Sequence, residues 1–262
     1  MDWKRLTMCA IAETAALAAT FRGPRAGLRV LAYHALGSPV LGDARGIFSA
    51  TPTLFEAHMA ALAQAVNDGN AGVTGVSAQP PDSQRLQVAI TFDDGYADNV
   101  RVAIPILERY GFPCAVFAVS ELVRNGAAPF LSPPELRELA ARPGVIIGAH
   151  GATHVALTQC DDRMLENELV SSRHTLEDIL GKPVTALAYP YGAVDRRVRA
   201  AAERAGYTLG YTSHFDINRP PCDPLLMART AILGTDNMRV FRQKLHGDWD
   251  WYRWRNAAAG NS

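Results

Sequence analysis

At 262 residues, 48% of them hydrophobic, the chain is long enough to bury a large core, and a single α/β domain of this length is common. Lys plus Arg and Asp plus Glu stand at 26 each, so no net field draws the chain to nucleic acid and no acidic excess argues for disorder. Cys9, Cys114, Cys160 and Cys222 are scattered without a Cys-x-x-Cys pair, which argues against a zinc ribbon or a disulfide framework and leaves them as reduced packing residues.

The first 27 residues place basic groups before an apolar stretch, as an export signal does. Glu13 interrupts that stretch, Asp2 weakens the basic region, and nothing approaches the ~20 apolar residues of a membrane span. The segment instead reads as an amphipathic helix bearing Trp3, Leu6, Cys9 and Leu17, flanked by Lys4, Arg5, Arg22, Arg25 and Arg29. Packing on its own domain is the expectation, with peripheral contact at an inner membrane surface as the lesser alternative. The location expected on this reading is cytoplasmic.

From residue 28 onward, strand-like runs alternate with helix-like ones. "LRVLAYH" stops at His34, "VAITFDD" at Asp93 and Asp94, "CAVFAVS" at Ser120, "GVIIGAH" at His150, and "VTALAYPYG" breaks at Pro190. Between them, residues 52–66 carry Leu54, Phe55, Met59, Leu62 and Val66, and residues 161–180 carry Leu165, Leu169, Leu176 and Ile179 at helical spacing. The stretch 67–87, with Gly69, Gly72, Gly75, Pro80 and Pro81, reads as a surface loop. Apolar strands alternating with amphipathic helices predict an α/β fold with a mostly parallel sheet or barrel, whose ligands collect at the carboxyl ends of the strands. The expected organisation is an N-terminal helix over 1–27, one barrel domain over 28–245 and a Trp-rich tail over 246–262.

Two adjacent carboxylates at the end of an apolar strand need compensation, because a buried, unpartnered carboxylate is expensive. Successive strand side chains point to opposite faces, so Asp93 and Asp94 cannot share a cavity if the strand simply continues. Gly95 offers the turn that would let them converge. The bland alternative is a solvated strand end whose Asp caps the next helix. In "AHGATHVALT", His150 and His154 stand four apart from another strand tip, a spacing that can bring two imidazoles onto one cation. Two His and one carboxylate form a facial triad with positions left open. His58 and His174 lie within amphipathic helix patterns and read as packing or surface residues.

"TFDDGY", "HGATH" and "YPYG", in this order and at these separations, resemble the first three motifs of the NodB-homology polysaccharide deacetylases, carbohydrate esterase family 4. The resemblance spans about Leu28 to Leu233. It implies a distorted (β/α) barrel and metal-dependent removal of acetyl groups from N-acetylated sugars. It also implies that Asp94, His150 and His154 hold a divalent metal, Zn2+ first, with Co2+, Ni2+ or Mn2+ as alternatives. Asp93 would then be the catalytic base, and the Tyr191 amide, after Pro190, would face the developing oxyanion.

The commoner family pattern places its general acid, a histidine in a Leu-x-His strand, near the C-terminus. Here "LAYH" stands at the beginning, which resembles the branch with circularly permuted motif order that includes poly-N-acetylglucosamine deacetylases. The acid expected on this pattern is His34, with His246 of "KLHGDWDW" as the alternative. The family's third-motif arginine, which orients the catalytic aspartate, is replaced by Ala188, and Val155 follows His154. Arg229 is a candidate to return a guanidinium to Asp93, against the plainer reading of a surface ion pair. Trp249, Trp251 and Trp254 suit sugar stacking, a lipid surface or a clamped tail. The partner expected is an N-acetylated saccharide. A non-carbohydrate amide as substrate, or a saccharide-binding protein without turnover, are the other readings.

Overall fold

The computed structural model describes residues 7, 8, 10–14, 26–77 and 84–252. Trp3, Leu6, Cys9, Leu17, Pro80, Pro81 and Trp254 lie outside the described residues, so most of the expected N-terminal helix does too.

Among the described residues, eight strands form one parallel sheet: β1 (Gly27–Tyr33), β2 (Ala71–Val73), β3 (Leu86–Phe92), β4 (Cys114–Ala118), β5 (Val145–Ala149), β6 (Ala186–Ala188), β7 (Leu209–Tyr211) and β8 (Thr230–Ala231). The order is β7-β6-β5-β4-β3-β1-β8, with β2 on β3. β2 pairs Leu86 to Val88, and β4 pairs Ile90 to Phe92, so these two short strands complete β3 in succession. Residues 71–73 therefore correct the expectation of a loop across 67–87. Three residues with a central glycine are too few to display an alternating pattern, and the pairing comes wholly from β3.

The sheet curls until its ends are joined through one segment. Met227 bridges Tyr211 of β7, and Thr230 and Ala231 pair with Leu31 and Ala32 of β1. Inside the curl, Leu28, Val30, Ala89, Ala115, Phe117, Ala188, Tyr211 and Met227 pack into one cluster. The opposite strand faces, with Leu31, Tyr33, Val88, Ile90 and Phe92, pack under the helices Pro52–Asn67, Ile104–Tyr110, Pro133–Ala140 and Asp162–Leu180 in the larger core. This two-sided burial is why the strands read as nearly continuous apolar runs.

The ends of the chain close over the sheet. Glu13, the residue that interrupts the N-terminal apolar stretch, bonds Arg239 and Gln243 of the helix Met238–His246. Arg29 is fully buried and meets Asp250 in two hydrogen bonds of 2.9 and 3.0 Å. Trp249 is buried against Ala12, Phe215 and Val240. No helix among the described residues is long and apolar enough to cross a membrane.

Candidate active site

Strand alternation decides which tip residues meet. On β1 the inward positions Leu28, Val30 and Ala32 lead to His34; on β3, Ala89 and Thr91 lead to Asp93; on β5, Gly148, whose missing Cβ would strike the inner Phe117 ring, leads to His150. These three side chains line a cavity of about 720 Å³ together with Asp94, His154, Tyr191 and Arg229.

Asp94 should face away by this rule, yet it turns inward. The turn begins one residue earlier than the sequence suggests: Asp94 itself adopts φ 70°, and Gly95 follows at φ 82°. Asp tolerates the left-handed region better than most residues because its short polar side chain bonds locally. Gly95 is still required, since a Cβ there would lie 3.2 Å from the Ala118 Cβ. His154 likewise has φ 64°, and strained conformations of this kind cost about 1–3 kcal/mol each.

The result is a compact cluster. The Asp94 Oδ1 lies 3.5 Å from His150 Nε2 and 3.4 Å from His154 Nε2. One ligand atom from each of the three residues falls within 4.8 Å of the others. His150 Nδ1 is 2.8 Å from the Ala188 carbonyl oxygen, which can only accept, so the proton sits on Nδ1 and the Nε2 lone pair points to Asp94. Burial pushes the His150 imidazole down to about 3, outweighing the upward pull of Asp93. Burial, then the charge of Asp93, pushes the Asp94 carboxyl up to about 7. Asp94 Oδ1 is buried with no hydrogen-bond partner among the described residues. The His150 Nε2 lone pair facing an unbonded Asp94 Oδ1 fits a cation between them, and one carboxylate with two imidazoles is a donor set for a borderline divalent metal.

Asp93 is arranged differently. Arg229 Nη1 and Nη2 donate to its two oxygens at 2.6 and 2.8 Å, and Arg229 Nε donates to the Thr212 carbonyl at 3.0 Å. The guanidinium is buried rather than a surface partner. Burial alone would raise the Asp93 carboxyl, but Arg229 and then His150 hold it well below the usual carboxylate range. Where Ala188 leaves no guanidinium, Arg229 supplies one from the segment that joins the sheet's ends.

His34 is half-buried, its ring 4.9 Å from that of Phe48, and its Nδ1 is buried without a hydrogen-bond partner among the described residues. Burial lowers its pKa, with Asp93 acting in the opposite direction. His246, the alternative acid, is exposed at the end of the helix Met238–His246 and does not line the cavity. Tyr191 lies at the rim with φ 58°, 68% exposed, its ring 4.7 Å from that of His154. His58 is buried and stacked on Phe241 at 4.1 Å, and His174 is exposed, so neither joins the site.

Two groups that sequence reasoning missed hold the mouth in shape. Asp98 accepts from the amides of Leu36 and Ser38, fixing the loop that carries Phe48 over His34. Glu168, on the helix Asp162–Leu180, accepts from the amides of Ala152 and Thr153 and from the Thr153 hydroxyl.

With this geometry in view, the chain matches the polysaccharide deacetylase family model over residues 81–210. A Bacillus subtilis protein, YxkH, is 28% identical over 192 residues, covering 72% of this chain and 65% of the relative. A peptidoglycan-N-acetylglucosamine deacetylase of Bacillus cereus is 27% identical over 146 residues, covering 54% of this chain and 63% of that one. The chain thus spans less than two thirds of the length of either relative. The crystal structure of a Bacillus cereus polysaccharide deacetylase, BC0361, superposes with a TM-score of 0.70 at 26% identity, covering 84% of this chain and 69% of that one.

Proposed function

Because the chain belongs to the polysaccharide deacetylase family, we propose that it hydrolyses the N-acetyl amide of an N-acetylated amino sugar, with metal-activated water as nucleophile. The observation that carries this reading is the convergence of Asp93, Asp94, His150, His154 and His34 on one cavity. Asp94, His150 and His154 would hold the metal. When bound, a divalent ion polarises the amide carbonyl and lowers the pKa of water to about 7, which a base as weak as Asp93 requires.

The remaining roles fall to the chain's own groups. Asp93 takes a proton from the attacking water, and Arg229 keeps it ionised and aimed. The Tyr191 amide faces the oxygen that gains charge as water adds. An amine leaves only once protonated, and His34 delivers that proton.

Acetate release from chito-oligosaccharides, peptidoglycan fragments and poly-N-acetylglucosamine tests the proposal, using chelator-treated protein with and without added Zn2+ or Co2+. Release that depends on added metal is expected from at least one substrate. Release unaffected by chelation, or none from any substrate with metal present, would overturn it. His34→Ala should retain metal and lower the rate by roughly 10²- to 10⁴-fold, the span for loss of a general acid. A rate within twofold of the parent would remove His34 from the reaction.

A further inference from the structure

The two histidines of the metal cluster are joined by only three residues, Gly151, Ala152 and Thr153, and every bond that secures this linker comes from outside it. Its carbonyls are held from one side: Ser120 N donates to Gly151 O at 3.2 Å and Glu121 N to Ala152 O at 3.1 Å. Its donors are held from the other side by a single carboxylate. Glu168 Oε2 accepts from Ala152 N at 2.8 Å and Thr153 N at 3.0 Å, and Oε1 accepts from the Thr153 hydroxyl at 2.6 Å. Glu168 is 5% exposed, and the linker approaches it so closely that a Cβ on Gly151 would stand 3.1 Å from Oε2.

The residue directly after this linker is His154, which holds φ 64°, a conformation that a β-carbon disfavours. A residue stays in such a conformation only where its surroundings over-determine it. The clamp on Ala152 and Thr153 is the nearest such constraint, and the left-handed turn is what swings His154 Nε2 back to within 3.4 Å of Asp94 Oδ1.

We propose that Glu168 is a positioning residue that holds His154 in its metal-ligating conformation, and so sets metal affinity without touching the metal. The inference rests on the metal site assigned above. Its consequence is asymmetric: without the clamp, the linker relaxes, His154 swings away, and Asp94 and His150 remain as an incomplete site. Glu168→Gln keeps one oxygen to accept both amides and leaves an amide nitrogen for the Thr153 hydroxyl, so it should preserve the clamp. Glu168→Ala should destroy it.

Co2+ alone, titrated into the metal-free protein, tests this by visible absorption, which reports ligand number and geometry as well as affinity. Parent and Glu168→Gln should give similar spectra and affinities within about fivefold. Glu168→Ala should bind about 10- to 100-fold more weakly, the usual cost of losing a group that orients a metal ligand, with an altered band shape. Far-UV circular dichroism establishes whether Glu168→Ala folds; if it does not, Thr153→Val, which deletes one of the three bonds, takes its place, with about tenfold weaker binding expected. Folded Glu168→Ala, or failing that Thr153→Val, with the parent's Co2+ spectrum and affinity would overturn the proposal. A parent protein that binds no Co2+ would instead overturn the metal site itself.

Discussion

Asp93→Asn is expected to abolish nearly all deacetylation while the metal stays bound. The side chains are almost the same size, and Asp93 lies outside the ligand cluster, its Oδ2 4.0 Å from His150 Nε2. The amide cannot accept a proton, so the rate should fall by roughly 10²- to 10⁴-fold. A second effect follows from Arg229, whose buried guanidinium loses its counter-charge. Removing one partner of a buried pair costs about 3–5 kcal/mol, which for a chain of this size lowers Tm by roughly 6–20 °C. The two losses separate in the double variant Asp93→Asn with Arg229→Met, where no unpaired charge remains. Its Tm should recover most of the fall while its turnover stays low. Turnover near the parent's in Asp93→Asn, or loss of metal along with activity, would show that Asp93 does not act as the base.

Much of this site is legible in the sequence, for one physical reason. Period-two alternation on β1, β3 and β5 sends His34, Asp93 and His150 to the same face, and the parallel sheet brings their carboxyl ends together. The pairing of Arg229 with Asp93 is only half legible. A guanidinium is demanded by a buried carboxylate, but its source depends on how the segment 227–231 crosses from β7 to β1, which no local pattern encodes. The inward turn of Asp94 is less legible, since nothing local separates a turn at Gly95 from one that begins a residue earlier. Glu168 carries a signal of its own in the sequence. It sits in the buried stripe Leu165, Glu168, Leu169, Ser172 and Leu176 of its helix, and a charged residue in an apolar stripe calls for partners. The clamp of Asp98 on Leu36 and Ser38 offered no such clue, because its acceptors and donors are separated by about sixty positions of chain.

The strongest pH dependence is expected in metal binding, and its origin is Asp94. Without metal, its carboxyl titrates at about 7, raised by burial and by the charge of Asp93. A cation needs the carboxylate, so binding below that pH must expel one proton, and affinity should fall about tenfold for each pH unit from 7 to 5. His150 adds no second proton in this range, because burial has pushed it down to about 3, and burial lowers His154 as well. Stability follows with a definite sign. An unfolded Asp titrates at about 3.9, so between that pH and about 7 the metal-free fold holds a proton that the unfolded chain has released. The contribution of Asp94 to metal-free stability is therefore complete at low pH and is lost as pH rises through this window. Metal reverses the loss by neutralising the carboxylate, so saturating Zn2+ should raise Tm more at pH 8 than at pH 5. Asp94→Asn removes the titrating group and an anionic ligand together, and should abolish tight binding and flatten the pH dependence of the metal-free Tm in this window. Calorimetric titration across pH 5–8 reads the slope directly; a parent affinity that stays constant between pH 5 and 7 would place the metal away from Asp94.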